Sequence, residues 1–346
     1  MEKRLKNKEE YFAAANSYEG FKSNFDRIFS PLILKKLFIL KGGPGTGKST
    51  LMRKIAERFD DAAMVTRILC SSDTSSLDGV VLEKDEVTVG IVDGTAPHIV
   101  EPKFPGAVEE IINLGDGFDY DALMSCSKEI IELSEKKSNA YKKAYVVLGN
   151  AGVIYRDIDR CFEKTYIYKE AEMIIDNAIN RSEKGENSVK ESPFLISAFS
   201  KDGYTVLPFI KQNKDIKRIG GDGISEYIFM CTLLGILKER NNDVTLYYSP
   251  LSHKMIDAIE TDEVIYVINK KGEFDIDTEF IAPHSKEYKA MRDEYQTKLN
   301  QASDFFKEAS VYHFKLEQIY SKNVSFELNE SKKIRIIDEL ERIFNK

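Results

Sequence analysis

Residues 38–59 read FILKGGPGTGKSTLMRKIAERF. The segment Gly42–Ser49, called the glycine loop below, follows an apolar run at Leu32–Leu40 that is broken by two lysines. After the loop, apolar residues recur at the spacing of one helix face, at Leu51, Met52, Ile55 and Phe59. The sequence therefore predicts a strand, a glycine-rich loop and a helix in that order. In this context the pattern GxxxxGKS indicates a phosphate-binding loop, or P-loop.

The residue types of the glycine loop have chemical reasons. Glycines let the backbone curl so that successive N–H groups face one anion, and the helix that follows points its positive dipole end at the same place. Lys48 is predicted to reach the β- and γ-phosphates, Ser49 to ligate Mg²⁺ and Thr50 to contact the α-phosphate. The predicted ligands are ATP and Mg²⁺, bound by Gly42, Gly43, Pro44, Gly45, Thr46, Gly47, Lys48, Ser49 and Thr50.

An aspartate ends a later apolar run. A second strand is predicted at Met64–Leu69, followed by a polar loop at Cys70–Asp78, and the next apolar run is Val87–Asp93. A buried parallel strand delivers its last residue to the carboxyl edge of the sheet, where a carboxylate holds the metal directly or through water. Asp93 is therefore predicted to ligate Mg²⁺ together with Ser49. The alternative is an ordinary turn after the strand.

Three more polar residues belong to the same predicted edge. His98, in the string DGTAPH at 93–98, either polarises a γ-phosphate or a substrate, or is a loop histidine held by its neighbours. Asp73 and Asp78 either orient an attacking water or act as turn and helix-cap residues. The candidate catalytic residues are Lys48, Asp93, Asp73 and His98.

The second part of the chain repeats the pattern of the first. Ile219–Tyr227 aligns with Lys41–Ser49 through three glycines, and the segments before and after match in the same order. Two halves are therefore predicted, at 1–185 and 192–346. The polar segment Arg181–Glu191 is the predicted linker between them.

The second copy is predicted to be degenerate. In this alignment Glu226 takes the place of the lysine and Asn269 the place of Asp93. A carboxylate about 4 Å from a phosphate charge costs roughly 4 kcal/mol at an effective dielectric constant of 20, so triphosphate binding is disfavoured there. The second half is then either a structural partner or the source of a charge for the first site, such as Lys217 or Arg218.

Charged segments with helical periodicity occupy about 119–182 in the first half and about 285–346 in the second. The glycines at 149–152 predict the turn of an αα-hairpin. Ser285–Tyr320 is the predicted counterpart of this hairpin region, and a last helix is predicted at Glu330–Phe344. These helices either pack on the sheets or form an arm that contacts a partner. The predicted fold is α/β: a duplicated P-loop NTPase fold with two parallel-sheet cores, helical hairpin additions and a degenerate second copy.

Composition excludes several classes of protein. With 42% hydrophobic and 31% charged residues the chain is typical of a globular protein. Its net charge of −7 gives no global electrostatic footprint for nucleic acid. The longest apolar run, Tyr227–Leu237, is about half of a membrane span and predicts a buried helix. The charged start Met1–Glu10 is unlike a secretory signal and the four cysteines form no CxxC pair, so we expect a cytoplasmic protein with reduced thiols.

Four further strings accompany the glycine loop in a fixed order: CSSD at 70–73, SLDG at 76–79, DGTAPH at 93–98 and FPGAV at 104–108. With them the chain resembles, over nearly its whole length, a family of bacterial P-loop ATPases built from two repeated halves, to which no substrate is assigned. DGTAPH is the most specific of these strings. The resemblance implies ATP binding and hydrolysis. Members often keep a lysine in the second loop as well, and Gly220–Glu226 departs from that pattern.

Three functions stay open at this point. An ATPase that couples hydrolysis to a shape change or to a protein partner needs only the loop, the metal and an activating charge. A small-molecule or nucleotide kinase needs an acceptor site, and the sequence shows no arginine-rich lid near the first loop. A non-hydrolysing regulatory protein would bind ATP and release no phosphate. The ATPase is the preferred hypothesis.

Overall fold

The computed structural model describes residues 8–176, 187–208, 214–269 and 274–345. Most of the predicted linker, Arg181–Glu191, lies outside these ranges, and its last three residues form a strand. Among the described residues, no helix is long and apolar enough to cross a membrane.

Both halves contain runs of strands and end in long helices. The strands of the first half are β1 (Lys8–Phe12), β2 (Ala14–Ser17), β3 (Gly20–Ser23), β4 (Lys36–Lys41), β5 (Met64–Cys70), β6 (Asp73–Lys84), β7 (Val87–Asp93) and β8 (Glu109–Asn113). Those of the second half are β9 (Val189–Glu191), β10 (Ser197–Ser200), β11 (Gly203–Val206), β12 (Asp215–Gly220), β13 (Val244–Tyr248), β14 (Ile256–Glu260), β15 (Val264–Ile268) and β16 (Ile276–Asp277). The helices are α1 (Phe25–Ile28), α2 (Lys48–Phe59), α3 (Tyr120–Ser125), α4 (Ser127–Asp159), α5 (Lys164–Asp176), α6 (Ser225–Glu239), α7 (Lys286–Lys322) and α8 (Glu327–Phe344).

Two six-stranded sheets have the same topology. The first has the order β1-β5-β6-β7-β4-β8, and the second, read from its other edge, has the order β9-β13-β14-β15-β12-β16. In each sheet one strand, β6 or β14, is antiparallel to both neighbours, and every other pair is parallel. The protein is therefore α/β with two mixed, mostly parallel sheets, as a duplicated α/β domain would have. The prediction of wholly parallel sheets was wrong at these two strands.

The antiparallel strand β6 replaces most of the loop predicted at Cys70–Asp78. Only two residues, Ser71 and Ser72, separate β5 from β6. A connection this short can form a hairpin, whereas a parallel neighbour needs a crossover of a dozen or more residues. The apolar part of β6 is buried, with Leu77 3% exposed and Val80 and Leu82 fully covered.

The core of the first sheet lies around β4. Its four residues Leu37–Leu40 are each 0% exposed, as expected for a central strand covered on both faces. Helix α2 packs on β6 and buries one face, made of Leu51, Met52, Ile55, Ala56 and Phe59. The predicted strand, loop and helix at 32–59 are confirmed. The apolar run at 227–237 also forms a buried helix, α6, as predicted.

The chain divides into two compact units that cut across the two predicted halves. One unit consists of described residues in Met1–Ala14, Ser23–Lys143 and Phe305–Lys346. The other consists of those in Ala15–Lys22 and Ala144–Asp304. The first sheet thus shares a unit with the end of α7 and with α8, which belong to the second half in sequence. The second sheet shares a unit with the end of α4 and with α5.

The helical regions differ from prediction in both halves. Helix α4 is continuous, and no turn interrupts it at Gly149–Gly152. A Cβ atom on Gly152 would lie 2.6–2.8 Å from three atoms of Tyr18, so this glycine permits close packing and does not break the helix. The chain turns only after Asp159. The same holds in the second half, where the predicted counterpart of the hairpin at Ser285–Tyr320 is one continuous helix, α7. The predicted last helix is confirmed as α8.

Replacing Gly152 with alanine is expected to destabilise the protein, although alanine is the better helix former. Overpacking against Tyr18 costs about 1–3 kcal/mol, which outweighs the helix-propensity gain of about 1 kcal/mol. Gly235 in α6 is the matched control, because a Cβ atom there meets nothing within 4 Å. Gly235→Ala should raise the free energy of unfolding by roughly 0.5–1 kcal/mol. Urea unfolding measures both changes, and a gain in stability for both variants would contradict this packing.

Candidate functional site

The glycine loop joins the end of β4 to the start of α2. Gly45 and Gly47 have φ angles of +70° and +87°, in the left-handed region that favours glycine. Lys48 is the first residue of α2, and its Nζ donates hydrogen bonds to the carbonyl oxygens of Gly42 and Gly43, each at 2.9 Å. The lysine amine therefore lies against the beginning of its own loop, beside the helix N-terminus.

Asp93 lies next to this amine. It ends β7, which runs parallel to β4 with Asp93 paired to Leu40. Its Oδ2 is 3.6 Å from Lys48 Nζ, and both side chains are largely buried. The other oxygen, Oδ1, accepts hydrogen bonds from the Thr95 N–H at 2.9 Å and hydroxyl at 2.6 Å. The structure thus brings together two of the predicted site residues, one cation and one carboxylate.

Ser49 follows Lys48 on the first turn of α2. Its Oγ accepts a hydrogen bond from the Leu77 N–H at 2.9 Å. A serine hydroxyl has two lone pairs and one proton, so this bond leaves it able to ligate a cation. Within the described ranges, no group of three or more His, Cys, Asp and Glu side chains is placed to hold a metal ion. The predicted magnesium site has only Ser49 and Asp93 as protein ligands.

The end of α7 and the start of α8 also contact the glycine loop, and sequence reasoning missed them. A Cβ atom added to any of three loop glycines would lie close to one of these helices. On Gly43 it would lie 3.1 Å from the Tyr320 ring, on Gly45 2.7 Å from the Glu317 carbonyl oxygen, and on Gly47 3.4 Å from the Phe326 ring. Asn329 Nδ2 donates to the Thr46 carbonyl oxygen at 2.9 Å, and this asparagine is buried. Packing against these helices is therefore a second reason for glycine in the loop.

Asp78 is the buried carboxyl group of the site. It lies on β6, 9% exposed, one residue after the Leu77 whose N–H bonds Ser49. Burial, and next the charge of Asp93, raise the pKa of Asp78 to about 7, against a hydrogen bond with Cys70 and the charge of Lys48. This carboxyl group therefore keeps its proton to a higher pH than an ordinary aspartate does.

His98 lies beside Asp78. Its Nε2 is 3.9 Å from Asp78 Oδ1, and its ring stacks on Phe25 with the ring centroids 4.3 Å apart. Burial lowers the pKa of His98, although the charge of Asp93 opposes this, so the imidazole is neutral at pH 7. Lys41 holds the loop that carries His98, because its Nζ donates to the carbonyl oxygens of Gly94 and Val100.

Asp73 lies at the exposed start of β6. Its carboxylate accepts hydrogen bonds from the Ser75 N–H at 3.1 Å, the Ser75 hydroxyl at 2.7 Å and the Ser76 hydroxyl at 3.3 Å. These bonds are those of a turn residue, one of the two roles that the sequence left open. A part for Asp73 in orienting water stays a prediction without geometric support.

The register of the second sheet corrects the alignment of the two halves by one residue. In the first sheet Leu40 pairs with Asp93, and in the second Ile219 pairs with Ile268. The next residue along the chain confirms this match. The Gly94 N–H donates to the Leu40 carbonyl oxygen, and the Asn269 N–H donates to the Ile219 carbonyl oxygen. Ile268 therefore takes the place of Asp93, and the predicted equivalence of Asn269 with Asp93 was wrong. An isoleucine has no atom that can ligate a metal.

The second loop, defined as Gly221–Ser225, is shorter than the glycine loop. Gly42 and Gly221 stand at the same position, two residues after the paired Leu40 and Ile219. Five residues, 43–47, lie between Gly42 and the start of α2, and three residues, 222–224, lie between Gly221 and the start of α6. The first residue of α6 is Ser225, whereas the first residue of α2 is Lys48. The prediction that Glu226 takes the place of Lys48 was therefore wrong. A loop two residues shorter has fewer N–H groups with which to surround a phosphate.

Carboxylates of the second loop bond its own N–H groups. Glu226, 1% exposed, accepts the Gly223 N–H at 3.1 Å, and Asp222 accepts the N–H groups of Ile224 and Ser225 at 3.1 Å and 3.0 Å. Burial raises the pKa of Asp222, but hydrogen bonds, first that of Tyr288, outweigh it and hold the pKa below its usual range. These N–H groups thus already have anionic partners from the chain itself.

Comparison of the chain with protein-family models, with characterised proteins and with solved structures gives no match. What the protein does is therefore inferred from its own residues. The glycine loop, Lys48, Ser49, Asp93, Asp78 and His98 form the candidate site.

Changing Asp78 to asparagine should flatten the dependence of stability on pH. The pKa of Asp78 is about 7 in the folded state and 3.8 for an ordinary aspartate, so between these two pH values the folded state binds more protons than the unfolded state. Stability from this group is then lost as pH rises through that window. Relative to wild type, Asp78→Asn should gain about 3 kcal/mol more in unfolding free energy at pH 8 than at pH 5.

Urea unfolding at the two pH values measures this difference. Glu57→Gln is the control, because it removes one carboxylate from an exposed position of α2 in the same unit. It should leave the pH dependence near that of wild type. Equal pH dependence in wild type and Asp78→Asn would contradict the burial of this carboxyl group.

Proposed function

We propose that the chain binds ATP with Mg²⁺ at Gly42–Thr50 and hydrolyses it, and that its first unit has a P-loop NTPase fold. The observation that carries this proposal is the position of Lys48. Its amine is 2.9 Å from two carbonyl oxygens of the glycine loop and 3.6 Å from Asp93 Oδ2. A cation, a curled backbone and a carboxylate thus converge at one helix N-terminus, where a triphosphate is favoured.

Phosphate binding follows from the loop backbone. Left-handed φ angles at Gly45 and Gly47 curl the chain, and such curls form concave groups of N–H donors that bind anions. The N-terminus of α2, a helix of 12 residues, adds its positive dipole end. Lys48 exchanges its bonds to the loop carbonyl oxygens for stronger, charge-assisted bonds to the β- and γ-phosphates.

Ser49 and Asp93 fit the protein share of a magnesium site. Mg²⁺ prefers hard oxygen ligands and is usually held by one or two protein groups, phosphate oxygens and water. The Ser49 hydroxyl is an oxygen ligand on α2, which follows the loop, and the Asp93 carboxylate is one on β7, which pairs with the strand before the loop. When bound, magnesium neutralises charge on the β- and γ-phosphates and assists departure of the leaving phosphate. The protein residues orient the triphosphate and limit its contact with water.

Coupling to a conformational change or to a protein partner is part of this proposal. The helices that contact the glycine loop at Tyr320, Phe326 and Asn329 come from the second half of the sequence. A change in the loop on nucleotide binding would therefore move residues of that half. We place the protein in the cytoplasm, because its four cysteines are free thiols.

Replacing Lys48 with alanine should weaken binding of Mg·ATP by about 10- to 100-fold and abolish turnover. A hydrogen bond to a charged group contributes about 1.5–3 kcal/mol, and every 1.4 kcal/mol is a factor of ten in affinity. Glu226→Gln is the matched control, because glutamine keeps the size of the side chain and an oxygen for the Gly223 N–H. It should leave affinity and turnover within about twofold of wild type. Isothermal titration calorimetry and a phosphate-release assay measure both quantities.

Unchanged turnover in Lys48→Ala would overturn the proposed site, and loss of turnover in Glu226→Gln would make the second loop a participant.

The same assay with γ-labelled ATP and pooled metabolites separates the alternatives. Transfer of label to an acceptor at many times the rate of transfer to water would indicate a small-molecule or nucleotide kinase. Tight binding with no phosphate release after long incubation would indicate a regulatory ATP-binding protein.

A further inference from the structure

Asp78 and Asp257 occupy the same position in the two sheets. Asp78 lies on the antiparallel strand β6, and Asp257 lies on the antiparallel strand β14. The residue after Asp78 is Gly79, which pairs with Val92, the residue before Asp93. The residue after Asp257 is Ala258, which pairs with Val267, the residue before Ile268. Ile268 is the equivalent of Asp93. Both carboxyl groups are buried, at 9% and 1% exposed. The two copies thus share a buried carboxyl group at one position.

In the second copy this carboxyl group has structural partners. Asp257 accepts hydrogen bonds from the hydroxyl of Tyr204 at 2.6 Å and from that of Ser197. These donors come from the hairpin of β10 and β11, and Tyr204 also bonds the Ser249 hydroxyl at 2.9 Å. A buried carboxylate held by two hydroxyl groups is fixed in orientation and satisfied by the fold.

The first copy lacks both hydroxyl groups at the matching positions. The hairpins β2–β3 and β10–β11 have strands of equal length with two residues between them, so in sequence Ala14 matches Ser197 and Phe21 matches Tyr204, although Phe21 belongs to the unit of the second sheet. Neither alanine nor phenylalanine has a side-chain donor. The neighbours of Asp78 are instead Cys70, which hydrogen-bonds its carboxyl group, and His98 of the candidate site, whose Nε2 lies 3.9 Å from Asp78 Oδ1.

We propose that Asp78 accepts the proton of the water molecule that attacks the γ-phosphate, an inference that rests on the proposed ATPase function. The Ser49–Leu77 hydrogen bond of 2.9 Å fixes the residue before Asp78 to the magnesium side of the glycine loop. Asp78 therefore sits on β6, the strand next to β7, which ends in Asp93. Asp73 bonds its own turn and is not placed for this step.

The step balances within the site. A bond forms between the water oxygen and the γ-phosphorus, and the bond between that phosphorus and the bridging oxygen of the β-phosphate breaks. One proton of the water passes to an Asp78 oxygen, and ADP keeps the electron pair of the broken bond. The proton then leaves for solvent or for the released phosphate, which restores the carboxylate. His98 adds no charge to the step, because its imidazole is neutral.

Asp78→Asn and Asp257→Asn form a matched pair for the test, since each removes one buried carboxyl group from the same position of the two copies. A positioned general base contributes about 10²–10⁴-fold to rate, so Asp78→Asn should lower phosphate release at least about 100-fold. It should bind a non-hydrolysable ATP analogue with Mg²⁺ within about threefold of wild type. Asp257→Asn should lose stability, because two hydroxyl donors lose their acceptor, and keep phosphate release within about twofold per folded molecule.

Binding of the analogue and circular dichroism report whether each variant is folded. Asp78→Ser is a second substitution, and it should show the same loss of phosphate release with retained binding of the analogue. Phosphate release near the wild-type rate in Asp78→Asn would overturn the inference and leave the proposed ATPase standing. Equal losses of binding and rate in Asp78→Asn would also overturn it, since they indicate a structural role. Failure of wild type to bind the analogue would overturn the proposed function and this inference with it.

Discussion

β4 and β7 run parallel, and Asp93 at the end of β7 pairs with Leu40 of β4. The glycine loop begins at Gly42, two residues after Leu40, so this pairing sets the Asp93 carboxylate beside the loop. Helix α2 starts with Lys48, so the lysine amine comes within 3.6 Å of Asp93 Oδ2. The other features of the site depend on this arrangement: β6 pairs with β7 and brings Asp78, and the loop after β7 brings His98. A change of register by one residue would turn Asp93 to the other face of the sheet.

The second sheet shows what the same topology does without that chemistry. Its strand order and pairing directions match those of the first sheet, yet the position of Asp93 holds an isoleucine and the loop is two residues shorter. The N–H groups of the second loop are bonded by Asp222 and Glu226. The second sheet therefore keeps the strand topology without the carboxylate and the loop length of the first site.

Local features of the sequence predicted much of the fold and of the site. The strand, loop and helix at 32–59 and the carboxylate of Asp93 were readable because neighbouring residues define them. The antiparallel β6 was missed because a two-residue connection at 71–72 looked like part of a polar loop. Tyr320 and Asn329 were missed because their contacts join residues far apart in sequence, as Asn329 and Thr46 do across 283 positions. The alignment error at Glu226 arose because glycine spacing does not reveal a shortened loop.

A crystal structure with Mg²⁺ and a non-hydrolysable ATP analogue tests the central claim most directly. The account predicts one nucleotide per chain, with its β- and γ-phosphates inside Gly42–Ser49, the Lys48 amine on phosphate oxygens, and the metal on Ser49 with Asp93 coordinating it directly or through water. It also predicts no nucleotide at Gly221–Ser225. A triphosphate bound at the second loop, or bound away from Lys48, would contradict the account.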